Sequence, residues 1–258
     1  MKRLPLLGVL LVAAGCGAAE QAAPPPPPKP IAAPDFRQAL ARTIAARTVK
    51  FAQITSITAG GSKVSAYTNG TASFADRRGH LYRIEPGNNV PGEIIVDGPF
   101  VYENANVQAT LNDPTVAPWT KLDTRSLTAK ERSEHPDDLA HALAPAYLAA
   151  AAAHPKLVRT TPTRAVFTGV VDPASIAKHV PASSRALIAS AAQGDYPAKP
   201  FPVRFWLDAR GRLRRVLVAY TTAGGSPVSV DTSYDAFGVQ IDTTPPPARD
   251  VKDITPKS

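Results

Sequence analysis

The sequence predicts an α+β fold in which a group of helices interrupts an antiparallel β-sheet. Short segments rich in β-forming residues, separated by turn residues, fill positions 49–123. Residues 136–154 then carry apolar side chains at helical spacing. From residue 202 to residue 235 polar and apolar residues alternate again, which is typical of a sheet with one face in water. Strands joined by such short turns pair antiparallel, because a parallel pair needs a long crossover.

The first sixteen residues are typical of an exported protein. A cationic head that includes Lys2 and Arg3 precedes the apolar residues 4–14. This pattern predicts a secretory signal peptide, and the apolar segment is too short for a transmembrane helix. The segment ends at Cys16, the only cysteine in the chain. A single cysteine excludes an internal disulfide bond.

The residues before Cys16, AAGC in sequence, resemble the lipobox of bacterial lipoproteins. The resemblance implies cleavage after residue 15 and attachment of a diacylglyceryl group to the Cys16 sulfur. Ala13 stands where that motif prefers leucine. An ordinary secretion signal with an incidental cysteine is the alternative interpretation. The resemblance predicts a cleaved signal peptide at 1–15 and a membrane anchor at Cys16.

Residues 16–34 predict a tether between this anchor and the rest of the chain. Five consecutive prolines occupy positions 24–28. Proline fixes φ and has no backbone N–H, so the segment favours an extended polyproline helix without a core. A proline motif recognised by another protein is the alternative. We expect a single folded domain at 35–258, held away from the bilayer.

The charge of the chain favours a membrane surface over nucleic acid. Without Lys2 and Arg3, 27 Lys and Arg remain against 21 Asp and Glu. A basic surface is attracted to anionic lipid headgroups. Nucleic acid is the other common partner of a basic chain. We do not expect it here, because the protein is exported and its basic residues are scattered.

The first half predicts one helix and then a β-meander. Residues 35–48 have helical spacing, with Asp35 as the N-cap. Glycines at 79 and 98 indicate two of the hairpin turns. The predicted strands are 49–58, 63–68, 72–76, 80–84, 93–96, 100–104 and 119–122.

The second half predicts the interrupting helices and a return to strands. Pro145 removes one backbone hydrogen bond from the helix at 136–154 and predicts a kink. A hairpin at 157–161 and 164–171 follows, with helical turns at 173–179 and 182–193, the second capped by Ser183 or Ser184. The last strands are predicted at 202–208, 213–222 and 228–235. Alternation from Leu213 places Leu217 with Leu213 on one face, and Val216, Val218 and Tyr220 on the other.

Four segments resemble the LppX/LprAFG lipoproteins. They are FPVRFWLDARGRLRRV at 201–216, YDAFGVQI at 234–241, TPPPA at 244–248 and PWTKLD at 118–123. The resemblance implies a LolA-like fold, a strongly curved antiparallel half-barrel with helices packed on its concave face. In that family the space between sheet and helices can be an apolar cavity that binds acylated lipids or glycolipids.

The search for catalytic chemistry gives no active site, so we do not expect an enzyme or a cofactor. The sequence has no nucleophile elbow, no H-E-x-x-H motif and no phosphate-binding loop. His135, Asp138 and His141 offer metal-ligating groups, but positions i and i+6 point to opposite sides of a helix. We interpret the acidic residues there as anions at the positive end of the helix.

The predicted ligand site is the apolar space between sheet and helices. Its alternative is a dry, filled core, which a chain of this length can form. The basic residues Arg204, Arg214 and Arg215 are candidates to hold a charged headgroup. The predicted lining residues are Phe51, Phe167, Val203, Phe205, Leu217 and Val230 from the sheet, and Leu139, Leu143, Tyr147, Leu148 and Ile188 from the helices.

Two functions follow from these interpretations. The first is a monomeric, membrane-anchored carrier of acyl lipid or glycolipid on the extracytoplasmic face. The second is a non-catalytic module with a filled core that binds or senses an envelope protein. Trp206 and Tyr220, expected to face away from the cavity, are the predicted contacts of that second function.

Overall fold

Twelve strands form one curved, open sheet in the described part of the chain. The computed structural model describes residues 36–87, 91–104, 117–128, 131, 138–180, 197, 199–222 and 224–256. The predicted signal peptide, the tether and the helical turn at 182–193 with Ser183 and Ser184 lie outside these residues.

Among the described residues the helices are fewer than the strands, and two of them are short. They are α1 (Phe36–Ile44), α2 (Asp138–Ala151) and α3 (Pro173–Ile176), with 3-10 turns at Ala177–His179 and Ala248–Asp250. The strands are β1 (Thr48–Ala59), β2 (Ser62–Ser73), β3 (Arg78–Ile84), β4 (Gly92–Asp97), β5 (Phe100–Asn104), β6 (Trp119–Asp123), β7 (Ala152–Thr161), β8 (Arg164–Val171), β9 (Phe201–Asp208), β10 (Leu213–Thr221), β11 (Pro227–Phe237) and β12 (Val251–Asp253).

The sheet is built from two meanders that meet in the middle. Its order is β12-β6-β5-β4-β3-β2-β1-β11-β10-β9-β8-β7. The first meander runs from β1 to β6 and the second from β7 to β11, and β1 pairs antiparallel with β11. The predicted antiparallel pairing is confirmed except at one edge, where β12 pairs parallel with β6.

Glycine permits two local features of the first meander. Gly60 and Gly61 have positive φ and form the turn between β1 and β2, where an L side chain would be strained. Gly70 lies within β2, where a Cβ atom would come within 2.1 Å of the His80 carbonyl oxygen. Because glycine permits this close approach, β2 is one continuous strand where the sequence predicted two.

Helix α2 is buried on nearly every side. Twelve of its fourteen residues are buried, including its alanines. A helix that is apolar all round packs inside a domain rather than on its surface. It contacts β10, β8, β3 and β2 on one side and α1 on another. We call the sheet face that carries Phe51, Phe205 and Val218 the inner face, and the opposite face the outer face.

One irregularity in β10 reverses a predicted face assignment. The pairing between β10 and β9 shifts register between Leu213 and Arg215. A bulge adds one residue, so every later side chain moves to the other face. Val216 and Val218 are therefore buried on the inner face, and Tyr220 follows them there. Leu217 lies on the outer face, so the predicted orientations of Leu217 and Tyr220 were wrong.

Helix α2 also ends earlier than the sequence predicted. It passes directly into β7 at Ala152, where the prediction placed the start of the strand at residue 157. His154 has φ of 53°, one of two non-glycine residues with positive φ in the described chain. The predicted hairpin with β8 and the helical turns at 173–179 are confirmed.

Candidate functional site

Most of the predicted lining residues meet in one hydrophobic core. Leu217 is the exception, because it lies on the outer face, and Ile188 lies outside the described residues. The other nine are buried in a single cluster: Phe51, Leu139, Leu143, Tyr147, Leu148, Phe167, Val203, Phe205 and Val230.

The core beneath α2 is closed to water. An open cavity of ligand size would leave accessible surface on the side chains that form its wall. Phe51, Phe167, Phe205, Tyr147 and Leu148 are at most 1% exposed. Almost none of the surface of these side chains is accessible to solvent. The space between α2 and the centre of the sheet is therefore filled.

A buried glutamine ties α2 to the middle of the sheet. Gln53 Nε2 donates to the His141 carbonyl oxygen at 3.1 Å and to Thr232 Oγ1 at 2.9 Å. In an α-helix the carbonyl of residue 141 accepts from the N–H of residue 145, but Pro145 has no N–H. Gln53 supplies the missing donor, and α2 continues through Pro145 as one helix.

Two tyrosines add polar atoms to this core. Tyr147 of α2 and Tyr234 of β11 are both fully buried. Burial, with a smaller contribution from the Tyr147 phenol, raises the pKa of Tyr234 well above its usual range. The Tyr234 phenol therefore stays neutral and offers no charge to a ligand.

A cluster of charged side chains surrounds the first turn of α2. Arg83 of β3 donates from Nη1 to both carboxylate oxygens of Asp138 at 2.7 Å. It also pairs with Glu103 at 2.9 Å and Glu85 at 2.7 Å. Burial alone would lower the pKa of Arg83, but these carboxylates outweigh it and the pKa is raised. Asp138 thus combines this ion pair with the helix N-terminus, and His135 lies outside the described residues.

The inner face stays open at its other end. Along β1, Phe51 and Gln53 are buried, Thr55 is half-buried and Ile57 is 39% exposed. All four share one face, because the pairing of β1 with β2 and β11 is regular over this range. Val64, the partner of Ile57 on β2, is 38% exposed. The apolar row therefore continues beyond the closed core into solvent.

The open end also includes residues of β11 and β10. Val228 pairs with both Ile57 and Tyr220, and Val218 pairs with Val230. The Tyr220 ring packs 6.0 Å from that of Phe201. We call Ile57, Val64 and Tyr220, together with their buried neighbours Val228 and Val230, the open apolar end. Sequence reasoning found only Val230 among them, although the alternation of residues 51, 53, 55 and 57 was a usable signal for Ile57.

The predicted headgroup arginines lie away from this end. Arg204 and Arg215 are on the outer face, where they pair with Leu217 and Trp206, respectively. The Arg214 guanidinium lies 5.5 Å from the centre of the Phe237 ring. Arg215 stacks over the Trp206 ring at 4.7 Å and donates to Asp231 at 2.7 Å. The Asp231 hydrogen bond raises the pKa of Arg215. Arg215 is therefore held in an outer-face cluster with Trp206 and Asp231.

Two surface depressions lie beside the C-terminal segment. The larger, about 740 Å³, is lined by Arg78 and residues 240–244. The smaller depression, about 340 Å³, is also lined by Arg78, and in addition by Thr48, Ser73 and Asp76. Neither is lined by any of the eleven predicted residues. Thr243 fixes the segment here, since Arg78 Nη2 donates to its hydroxyl at 2.8 Å.

Comparison with known proteins finds likeness in solved structures only. No family model and no curated protein matches the chain. Lipoprotein LppX of Mycobacterium tuberculosis matches 81% of this chain and 98% of its own, at 9% identity and a TM-score of 0.45. A LolA-superfamily protein of Nitrosomonas europaea matches 80% and 94%, at 9% identity and 0.30. These likenesses include the type of lipoprotein that the four sequence segments resemble.

A third likeness is to a protein complex. The MucA/MucB complex of Pseudomonas aeruginosa matches 77% of this chain and 57% of the other, at 14% identity and a TM-score of 0.29. At such identities the likenesses concern the fold and identify no ligand. Among the described helices, none is long and apolar enough to cross a membrane.

Proposed function

We propose that this protein is an extracytoplasmic membrane lipoprotein that binds and carries an acylated lipid or glycolipid. The observation that supports this most is the open apolar end. Ile57 and Val64 are exposed on the same face on which Phe51, Phe205 and Val218 are buried. An acyl chain laid along this row would cover them, with each buried CH₂ contributing about 0.8 kcal/mol.

The proposed ligand lies at the open apolar end rather than beneath α2. Entry beneath α2 would have to separate the helix from Gln53, whose side chain bonds both α2 and β11. Val228 pairs with Ile57, and Val228 and Val230 are only 8% and 7% exposed, so the proposed contact is mainly with Ile57, Val64 and Tyr220. No covalent chemistry is part of the proposal, and the ligand is held by burial alone.

The test is an inventory of bound lipid. The chain is purified without detergent, its lipids are extracted, and they are identified by mass spectrometry. Ile57→Asp with Val64→Asp is expected to abolish bound lipid, because a charge on each partner opposes acyl burial. Ile54→Asp is the matched control, since Ile54 is similarly exposed on the outer face of the same strand. Equal lipid content in both variants would contradict the proposal.

The envelope-binding module is supported by a different observation. The core beneath α2 is filled, and Trp206, Arg215 and Asp231 form a preorganised cluster on the outer face. Tyr220, the other predicted contact of this function, is not part of this surface, because it lies on the inner face. A lipid-free wild-type chain that also refuses added acyl lipids, together with loss of a captured envelope protein in Trp206→Ala, would favour this second function.

Anchoring through Cys16 is proposed from the lipobox resemblance. Cells are grown with a palmitate analogue that can be tagged, and incorporation into the protein is measured. Cys16→Ala is expected to abolish incorporation and to release the protein from the membrane fraction. Incorporation that persists in Cys16→Ala would place the acyl group elsewhere.

A further inference from the structure

The hairpin of β7 and β8 carries exposed apolar side chains at one end of the sheet. Leu157, Val158 and Val170 are 43%, 56% and 43% exposed. Eight of the ten residues of β7 are exposed. Leu157 and Val158 are consecutive in β7, whereas Val170 lies opposite Ala153 near the start of that strand. Neighbouring exposed apolar side chains are typical of an interaction surface, whereas single ones are ordinary.

The same hairpin is basic throughout. Between residues 152 and 171 the sequence contains Lys156, Arg159 and Arg164 and no Asp or Glu. All three basic side chains are exposed, and none forms an ion pair with a described residue. By contrast, Arg83 of β3 is neutralised by three carboxylates and Arg215 of β10 by Asp231. The hairpin therefore presents uncompensated positive charge.

The free edge of β7 is poorly suited to pairing with another strand. Its register with β8 shifts twice, between Ala153 and Lys156 and between Leu157 and Arg159. Bulges, proline and charged residues are the features that protect sheet edges from strand addition. Pro155 lies within the first of these shifts. Addition of a protein strand is therefore disfavoured at this edge.

Exposed apolar side chains beside unpaired cations match the chemistry of an anionic bilayer surface. We propose that the β7–β8 hairpin is a docking element that rests in the headgroup region of a membrane containing anionic lipid. Lys156, Arg159 and Arg164 would contact lipid phosphates, each strengthening binding about fivefold. Leu157 and Val158 would reach the boundary of the acyl chains. A soluble polyanion would use the charges and leave the apolar side chains in water.

The depth of insertion is limited by the backbone of β7. Its unpaired N–H and C=O groups on the free side need hydrogen bonds from water or headgroups, which the hydrocarbon region does not supply. The hairpin therefore lies at the interface, as amphipathic elements with basic flanks do. This inference depends neither on lipid binding at the open apolar end nor on Cys16.

Vesicle sedimentation tests the proposal. The chain starting at Gly17 retains every described helix and strand and carries no acyl group. It is mixed with vesicles of phosphatidylcholine alone and with vesicles of equal parts phosphatidylcholine and phosphatidylglycerol. Binding to the anionic vesicles alone is expected. Replacing Lys156, Arg159 and Arg164 by glutamine is expected to weaken it on the order of a hundredfold, and Leu157→Ser with Val158→Ser about tenfold.

A matched control separates this surface from general basicity. Lys50→Gln, Lys63→Gln and Lys252→Gln together remove the same charge from exposed positions elsewhere. This variant is expected to retain most of the binding. The proposal is overturned if the hairpin triple and the control triple weaken binding equally, or if Leu157→Ser with Val158→Ser has no effect. It is also overturned if the unsubstituted chain does not bind anionic vesicles. Binding to soluble polyglutamate with the same sensitivity to both hairpin variants would also overturn it.

Discussion

The two ends of one row of side chains on β1 have opposite environments. Phe51 and Gln53 are buried, whereas Ile57 is largely exposed on the same face of the same strand. Strand alternation therefore determines which face a side chain occupies but not whether that face is covered. Coverage is determined by α2, which is joined to β1 through Gln53. The proposed ligand site is the part of the face without that coverage.

The largest expected difference between the two ends is in stability. Phe205→Ala removes a fully buried ring from the closed core and is expected to lower the free energy of unfolding by about 3–5 kcal/mol. Ile57→Ala is expected to lower it by less than about 1 kcal/mol, because the side chain is already partly in water. Urea denaturation of both variants measures this. Similar losses would show that the open apolar end is as well packed as the core.

The second prediction concerns the link between α2 and β1. Gln53→Leu leaves the His141 carbonyl and the Thr232 hydroxyl without this donor and is expected to cost about 2 kcal/mol. Pro145→Ala restores the helical N–H and should recover part of that loss in the double variant. A double-mutant cycle from urea denaturation measures the coupling. Strictly additive effects would contradict the role assigned to Gln53.

The third prediction tests the bulge in β10. Val218→Ala removes two buried methyl groups and is expected to lower the free energy of unfolding by about 1.5 kcal/mol. Leu217→Ala on the outer face is expected to cost clearly less, although leucine is the larger side chain. Thermal unfolding of both variants gives the comparison. The reverse order would restore the face assignment predicted by simple alternation.

The smallest effect is expected at the edge farthest from the open apolar end. Hydrogen bonds from Thr255, together with Lys121, lower the pKa of Asp253 to about 2. A lowered carboxyl pKa stabilises the fold above the unfolded pKa of about 4, and this contribution is lost as pH falls toward 2. β12 should then loosen from β6. Trp119 pairs with Val251, so its fluorescence reports the change. An identical acid profile in Asp253→Asn would contradict this.

The sequence predicted the fold better than the site. Alternation and turn residues were sufficient for the hairpins, such as Gly98 between β4 and β5. The β10 bulge was not predictable, because neither Arg214 nor its neighbours are of a residue type, such as glycine, that indicates a bulge in a strand. Pairings across the whole chain, such as Phe51 with Tyr234, have no local signal either. Pro145 was informative, because a proline inside a helix leaves the carbonyl oxygen four residues earlier without its N–H donor. A side chain from outside the helix must then supply a hydrogen bond, as Gln53 does.

The seam between β1 and β11 has a consequence for the order in which the protein is assembled. Thr48 accepts a hydrogen bond from Gly238, 190 residues later in the chain. The first strand made thus gains its second neighbour only when β11, the last antiparallel strand, has been made, and closing so long a loop is slow relative to forming hairpins. Until β11 arrives, one side of β1 remains a vacant template for other strands. A chain of this topology would benefit from a holding chaperone until its C-terminal third has been made.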